Sequence, residues 1–199
     1  MFPMQILWVL FKVEQKGLAP ALFLDRDGVI NIENGYISEI EDFIFSDGIF
    51  ELCRYFKELN YKIIVVTNQS GIGRGYFTQD KFDVLSHWMS EKFIQEGCGL
   101  DLILAATADP NNPNLPEVEF FRRKPNPGMI FEAASLLELD LSQSILIGDS
   151  LSDIRAGKAA DIPNLYLIGE HSGSSLIAES FADLNQCLLE LRKKLIEIP

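Results

Sequence analysis

Short apolar runs alternate along the chain with longer segments of helical period, the pattern expected of a parallel sheet with helices on both faces. The predicted strands are Ala21 to Leu24, Lys62 to Thr67, Leu102 to Ala106, Ser144 to Ile147, and Leu165 to Ile168. The predicted helices are Gly48 to Leu59, Gln79 to Gln95, Pro127 to Leu139, Ser152 to Ala160, and Leu184 to Ile196. The predicted fold class is therefore α/β, a Rossmann-like doubly wound three-layer sandwich around a central parallel sheet.

Length and composition predict one domain. The chain has 199 residues, of which 47% are hydrophobic and 23% charged, and this balance suits a single domain with a substantial core. Residues 1–17 are interpreted as an N-terminal extension, either an extra strand or helix packed on the domain or an over-called start, with a dimer contact as a further alternative. The apolar run from Ile6 to Phe11 is shorter than the roughly 20 residues of a membrane span, and no secretory signal is recognisable.

The net charge of −12 disfavours a nucleic acid or an anionic membrane as partner, because such partners require excess Lys and Arg. The three cysteines lie far apart and are interpreted as reduced core thiols of a cytoplasmic protein. With only two histidines, a His/Cys zinc site and a histidine-based triad are both disfavoured. We expect a monomer or a weak homodimer.

The most informative motif is Asp25-Arg26-Asp27-Gly28, which follows the first predicted strand directly. Ligands of open parallel sheets bind beyond the carboxyl ends of the strands, so this is where chemistry is expected. A carboxylate is ionised near neutral pH and can attack phosphorus without a separate base, which suits Asp25 as nucleophile. Asp27 could protonate the leaving oxygen and then deprotonate water. Taken alone, the motif could also be an ordinary turn.

The second predicted strand ends in Thr67-Asn68-Gln69-Ser70-Gly71. Its hydroxyl, amide and backbone N–H groups could hold phosphoryl oxygens, although a capped turn explains the motif equally well.

Two further motifs carry charge. Arg123 and Lys124 precede a proline-started helix and could compensate the charge of a phosphate, or form a solvated surface pair. The fourth strand leads to Asp149, with Asp153 in the first turn of the next helix, where it could also act as a cap. Asp25, Asp27, Asp149 and Asp153 at one sheet edge would repel each other unless a cation binds, and Mg²⁺ is the usual choice beside phosphate.

The ordered motifs DRDG, TNQSG, RKP and GDSLSD resemble those of the haloacid dehalogenase superfamily. The longer stretches LDRDGVIN, ENGY, VVTNQSGIGRGYFT, RKPNPGM and GDSLSDIRAG resemble its heptose 1,7-bisphosphate 7-phosphatase branch, whose near relatives include histidinol-phosphate phosphatases. The resemblance implies a phosphatase with a minimal cap, acting on a small phosphorylated metabolite, and a possible setting in bacterial surface polysaccharide synthesis.

The resemblance also implies roles for individual residues. Asp25 would be the nucleophile and Asp27 the acid/base, with Mg²⁺ held by the Asp25 carboxylate, the Asp27 carbonyl and Asp149, and Asp153 just behind them. Thr67 and Lys124 would steady the transferring phosphoryl group. The expected substrate-contacting residues are Arg26, Glu33, Asn34, Gly35, Tyr36, Asn68, Gln69, Ser70, Arg123 and Ser150.

Two departures from the family pattern bear on the substrate. Members of this branch often bind a structural zinc before RKP, but the matching positions here are Ala106, Ala108, Phe120 and Arg122, so no zinc is expected. At Ser150 the heptose enzymes commonly carry a substrate-binding lysine, which leaves the sugar and its anomer open.

The segment from Asp109 to Glu119 contains three prolines and three asparagines and is predicted to be a loop. In place of zinc, the prolines and apolar packing of Val118, Phe120 or Phe121 are expected to hold it.

Three other classes of protein share parts of this pattern. The segment from Gly71 to Gly75 weakly suggests a dinucleotide-binding turn, but Tyr76 stands where the third glycine is required. A phosphorelay receiver shares an acidic pair, Thr, Lys and Mg²⁺, but needs an aspartate after the third strand, which here leads to Thr107. A non-catalytic binding protein is disfavoured because both Asp25 and Asp27 are present.

Overall fold

The computed structural model describes residues 18–169 and 178–196, and a six-stranded sheet forms its centre. The strands are β1 (Ala21–Leu24), β2 (Lys62–Asn68), β3 (Leu102–Ala106), β4 (Ile145–Gly148), β5 (Asn164–Ile168) and β6 (Glu179–Phe181). Their order is β3-β2-β1-β4-β5-β6, and each neighbouring pair is parallel. From β1 the chain adds β2 and β3 on one side of the sheet, then returns to add β4, β5 and β6 on the other side of β1, as predicted for a doubly wound sheet.

The helices that cover the sheet agree with the apolar periodicity. They are α1 (Ile49–Glu58), α2 (Ser70–Gly73), α3 (Gln79–Gln95), α4 (Glu117–Arg122), α5 (Gly128–Leu137), α6 (Leu151–Ala159) and α7 (Leu184–Ile196), with 3-10 turns at Ile40–Asp42 and Leu141–Gln143. The predicted α1, α3, α5, α6 and α7 are confirmed with ends within two residues. The predicted N-terminal extension lies outside the described residues.

Alternation along the strands divides the core into two layers. Leu22 and Leu24 of β1 pack in one apolar cluster with residues of α1, α3 and α7. Ala21 and Phe23 point to the opposite face and pack with residues of α5 and α6. Successive side chains of a strand point to opposite faces, so a strand that is apolar throughout is buried on both sides. The three-layer sandwich is confirmed. Within the described ranges, no helix combines the length and apolar content that a membrane span requires.

Three short elements are absent from the prediction. The strand β6 has three residues, and only Phe181 is buried, so it has no apolar run. The helix α2 is one turn with two glycines, which have weak helical propensity. The helix α4 begins inside the predicted loop and buries none of its residues, so no apolar stripe marks it.

The expected apolar packing of the loop before α5 is wrong. Val118 is 64% exposed, Phe120 58% and Phe121 45%. Of these three side chains, only Phe121 contacts another ring within the described residues, that of Phe131, with 6.4 Å between centroids. These side chains lie on an exposed surface, and the sheet does not bury them.

Polar contacts hold this loop to its neighbour after β2. The Asp109 carboxylate accepts hydrogen bonds from the backbone N–H of Asn111 at 3.0 Å and from Nε of Arg74 at 3.3 Å. The backbone N–H of Gly73 donates to the carbonyl of Thr107 at 2.9 Å. The two loops that follow β2 and β3 are therefore tied together at the edge of the sheet.

Candidate active site

A cleft of about 450 Å³ opens where β1, β2 and β4 end side by side. It is lined by Asp25, Arg26, Asp27, Glu33, Gly35, Tyr36, Thr67, Asn68, Gln69, Lys124, Asp149, Ser150 and Ser152. Most residues singled out in the sequence thus meet in one place, because parallel strands present their carboxyl ends at the same edge. Asn34, Ser70 and Arg123 lie outside this lining.

Lys124 joins two carboxylates at the floor of the cleft. Its Nζ lies 2.9 Å from Oδ1 of Asp25 and 2.5 Å from Oδ1 of Asp153, and it donates to the carbonyl of Val66 at 2.8 Å. The Lys124 side chain is 2% exposed. Burial opposes its charge, but the attraction of the two carboxylates outweighs burial and raises the pKa of Lys124. One buried ammonium therefore serves two acids.

Asp25 is mostly, but not completely, ionised near pH 7. Burial raises the pKa of Asp25, Lys124 opposes this rise and the nearby Asp153 carboxylate adds to it, and the balance is a pKa of about 6. The backbone N–H of Arg26 donates to Asp25 Oδ1 at 2.7 Å. At pH 7 most molecules therefore hold Asp25 as a carboxylate, fixed by a lysine and a backbone donor, in the form that can attack phosphorus.

The carboxylate of Asp27 is held by donors from three residues. Oδ1 accepts from Nε of Arg26 at 3.1 Å, from Nη2 of Arg26 at 2.8 Å and from Nδ2 of Asn31 at 3.1 Å. Oδ2 accepts from Nη2 of Arg26 at 2.8 Å and from Nε2 of Gln69 at 2.8 Å. With 22% of its side chain exposed, Asp27 still presents surface to the cleft.

Asp149 completes a cluster of acids that suits a cation. One carboxylate oxygen from each of Asp25, Asp149 and Asp153 lies within 4.8 Å of the others. Burial, together with the nearby carboxylates of Asp25, Asp153 and Glu33, raises the pKa of Asp149 to about 7. Such crowding by like charges is relieved by a hard divalent cation with oxygen ligands, so these residues fit Mg²⁺.

The glycine of the first motif makes room for this acid. Gly28 has φ +82°, and a Cβ built on it would lie 2.0 Å from Oδ2 of Asp149. Any larger residue would displace the Asp149 carboxylate, so Gly28 is required both for the turn and for the acid beside it.

Residues at the end of β2 position the others. Nδ2 of Asn68 donates to the carbonyl of Lys124 at 3.0 Å, and the N–H of Lys124 donates back to Oδ1 of Asn68 at 3.1 Å. Nε2 of Gln69 donates to Oγ1 of Thr67 at 2.9 Å as well as to Asp27. Asn68 therefore fixes the lysine loop, whereas the Thr67 hydroxyl lies at the cleft.

The rim of the cleft contains Glu33, Gly35, Tyr36 and Ser150. Tyr36 is 50% exposed, and its hydroxyl accepts a hydrogen bond from Nη1 of Arg74 at 2.8 Å. Ser150 precedes α6, and its hydroxyl donates to Oδ2 of Asp153 at 2.6 Å. The hydroxyl of Ser150 thus orients an acid behind the nucleophile.

Arg123 lies just beyond the rim. Burial lowers the pKa of Arg123, and the Arg74 guanidinium lowers it further. Its Nη1 is buried without a hydrogen-bond partner in the described part of the chain. A cation in this state can accept an anionic group of a ligand.

Three contributors were not predicted from the sequence. Asn31 holds Asp27, Arg74 links Tyr36 to Asp109, and Ser152 lines the cleft. Asn31 lies inside the stretch DGVIN, within a turn of Asp27, and this proximity is the one signal that could have identified it.

Comparison with known proteins also indicates a hydrolase. A family model described as haloacid dehalogenase-like hydrolase matches residues 6–161. The chain belongs to this family. It is 48% identical over 163 residues to a D-glycero-alpha-D-manno-heptose-1,7-bisphosphate 7-phosphatase of Burkholderia mallei, covering 81% of this chain and 86% of that protein. The predicted enzyme class, a phosphoric monoester hydrolase, is confirmed.

Solved structures of this hydrolase family share the fold. A putative HAD-like phosphatase from Mesorhizobium loti superposes with a TM-score of 0.78 at 33% identity, covering 89% of this chain and 88% of that one. A D,D-heptose 1,7-bisphosphate phosphatase from B. bronchiseptica, complexed with magnesium and phosphate, gives 0.75 at 23% identity, covering 88% and 99%. At that identity the second likeness is one of fold alone.

Proposed function

We propose that this hydrolase removes the 7-phosphate of D-glycero-D-manno-heptose 1,7-bisphosphate through an aspartyl-phosphate on Asp25. The observation that carries the mechanism is the pairing of Asp25 with the buried Lys124 at 2.9 Å, with Asp27 two residues away in the same cleft. The heptose substrate rests on the likeness to the Burkholderia relative.

In the first step, a carboxylate oxygen of Asp25 attacks phosphorus while the bond from phosphorus to the sugar oxygen breaks. For this step Asp27 must first bind a proton, and it gives that proton to the departing sugar oxygen, so that the sugar leaves as an alcohol. Lys124 and the Thr67 hydroxyl lie where they could hold the phosphoryl oxygens. Phosphoryl transfer depends mainly on such positioning and charge compensation.

In the second step, water attacks the phosphorus of the aspartyl-phosphate. Asp27, now a carboxylate, takes a proton from that water as the bond between phosphorus and the Asp25 oxygen breaks. Inorganic phosphate leaves, and both acids return to their starting forms. The same residue thus acts as acid and then as base.

Mg²⁺ would be held by the carboxylates of Asp25 and Asp149 and by the carbonyl of Asp27, with Asp153 behind them on Lys124. When bound, the ion compensates the negative charge of the phosphate. The rest of the sugar phosphate would contact Glu33 to Tyr36, Asn68 to Ser70, Ser150 and Arg123, and the unpartnered Nη1 of Arg123 suits an anionic group.

Phosphate release tests this proposal. We expect Mg²⁺-dependent turnover of heptose 1,7-bisphosphate, with the alpha anomer preferred because the relative named above carries that anomer in its name. Asp25→Asn should abolish turnover and leave the far-ultraviolet circular dichroism spectrum unchanged. Near-normal activity of that variant would refute the mechanism. Preference for histidinol phosphate or another sugar phosphate would refute only the substrate.

Other expectations remain proposals. We infer that residues 1–199 form one phosphatase domain, monomeric or weakly dimeric, that acts on its soluble substrate in the cytoplasm. No zinc is expected before Lys124, because Ala106, Ala108, Phe120 and Arg122 offer neither thiolate nor imidazole. A stoichiometric zinc ion in metal analysis of the purified protein would contradict this.

A further inference from the structure

We propose that Arg26 is a positioning residue that fixes the acid/base Asp27, not a substrate ligand. This inference rests on the proposed function, because it concerns how the acid of that reaction is aimed. It replaces the expectation from the sequence that Arg26 contacts the substrate.

Burial excludes Arg26 from most of the cleft surface. Its side chain is 2% exposed, and it is among the largest fully buried side chains of the described protein. A buried guanidinium needs a partner, since an unpaired buried charge is strongly destabilising. Within the described residues, its ion-pair partner is Asp27. Nη1 of Arg26 has no hydrogen-bond partner in the described part of the chain, whereas Nε and Nη2 are both committed to Asp27.

The geometry of this pair restricts rotation of the acid. Nη2 of Arg26 lies 2.8 Å from both oxygens of Asp27, and Nε lies 3.1 Å from Oδ1. Contact with both oxygens opposes rotation of the carboxylate, which one donor would leave free to turn. Asn31 adds a donor to Oδ1 and Gln69 adds one to Oδ2. Arg26 alone contacts both oxygens among these donors.

The same guanidinium also reaches the rim. Nη2 of Arg26 donates to the carbonyl of Ile37 at 3.3 Å, and Ile37 is buried directly after the rim segment from Glu33 to Tyr36. The Arg26 guanidinium thus fixes both the Asp27 carboxylate and the rim segment from Glu33 to Tyr36. Displacement of a catalytic group by about 1 Å can cost on the order of 100-fold in rate, so this anchoring matters for proton transfer.

The test uses aryl phosphates that lack a sugar and differ in leaving group. Phenyl phosphate releases a poor leaving group that needs a proton, whereas p-nitrophenyl phosphate releases one that departs without it. The measured quantity is kcat/KM with saturating Mg²⁺, because it covers the reaction only through loss of the leaving group. Arg26→Met removes both the charge and the planar set of N–H donors that contacts the two oxygens of Asp27, whereas Arg26→Lys keeps the charge but not that set of donors.

We expect Arg26→Met to lower kcat/KM for phenyl phosphate by about 100-fold, which is within the usual range for a general acid. The loss on p-nitrophenyl phosphate should be smaller than this by a factor of about 10 or more. Arg26→Lys should show the same selective loss, which keeps the test decisive if Arg26→Met does not fold. Asp27→Asn should reproduce the selectivity, and adding Arg26→Lys to it should cost little more, because both changes remove one function. Arg54→Met, which removes an exposed arginine paired with Glu96, is the matched control and should change neither substrate.

Other outcomes overturn the inference. Equal losses on the two aryl phosphates, or full activity of Arg26→Lys, would mean that Arg26 supplies charge or stability only. A loss confined to the sugar phosphate would make Arg26 a substrate ligand after all. If the unmodified protein hydrolyses neither aryl ester nor the heptose bisphosphate, the proposed function fails and this inference fails with it.

Discussion

Replacing Asp149 with asparagine should make the metal-free protein more stable at alkaline pH. The Asp149 carboxylate lies among Asp25, Asp153 and Glu33, and burial with these neighbours raises the pKa of Asp149 to about 7. Within the described residues no hydrogen bond or ion pair to this carboxylate is found. Asparagine has nearly the same shape and cannot ionise, so the variant removes the repulsion and little else.

The sign follows from the two pKa values. The folded-state pKa lies above the unfolded value of 3.8, so the protonated acid favours the fold, and this contribution is lost as the pH rises through 7. Between pH 5.5 and 8.5 the linkage relation gives a loss of ~2 kcal/mol. Asp149 is half-buried, and solvent screening reduces this to about 1 kcal/mol. The variant should therefore equal the wild type at pH 5.5 and exceed it by about 1 kcal/mol at pH 8.5.

Urea unfolding with a chelator at several pH values measures this difference. Glu58→Gln, which neutralises an exposed acid at the end of α1, is the control and should show no pH-dependent gain. Added Mg²⁺ should stabilise the wild type at pH 8.5 and remove the advantage of the variant, since a ligand that binds the folded state stabilises it. Parallel pH profiles for wild type and Asp149→Asn in chelator would refute the account of this acid cluster.

Three further changes test the support of the site. Lys124→Met leaves the carboxylates of Asp25 and Asp153 without their cation and should lower the free energy of unfolding at pH 7 by ~3–5 kcal/mol. The loss should be smaller at pH 5.5, below the Asp25 pKa of about 6, where protonation removes the unpaired charge. An equal loss at both pH values would contradict a stabilising role of the ion pair. Asn68→Ala removes two hydrogen bonds to the Lys124 backbone and should cost ~1–3 kcal/mol in urea unfolding and lower kcat; unchanged kcat would show that the lysine loop holds itself. Asp109→Ala releases Arg74 and should speed hydrogen exchange in residues 107–116; unchanged exchange would mean that other contacts hold this loop.

The sequence could predict those parts of the fold whose position follows from strand ends. Asp25 and Asp149 each come directly after a buried apolar strand, so a parallel sheet brings them together whatever the loops do. Lys124 belongs to no strand. Its contact with Asp25 depends on packing between segments that are distant in the sequence, and the periodicity of apolar residues cannot reveal such packing. Its role was expected from the family resemblance.

The predicted apolar packing of the loop before α5 is wrong for a physical reason. Val118 and Phe120 were expected to pack because they are apolar, but α4 buries none of its residues. In each case a residue type predicted the average environment, and the tertiary contacts decided the actual one.

The shared lysine has a consequence for folding. Asp25 follows the first strand, Lys124 belongs to a late loop and Asp153 to a late helix, and the contact between Asp25 and Lys124 joins residues 99 positions apart in the chain. Contacts at such sequence separation form slowly because closing a long loop costs entropy. A partly folded chain can therefore contain β1 and its acids without the ammonium that neutralises them. We therefore expect the candidate active site to be among the last parts of the protein to form, because it requires both halves of the sheet to have come together.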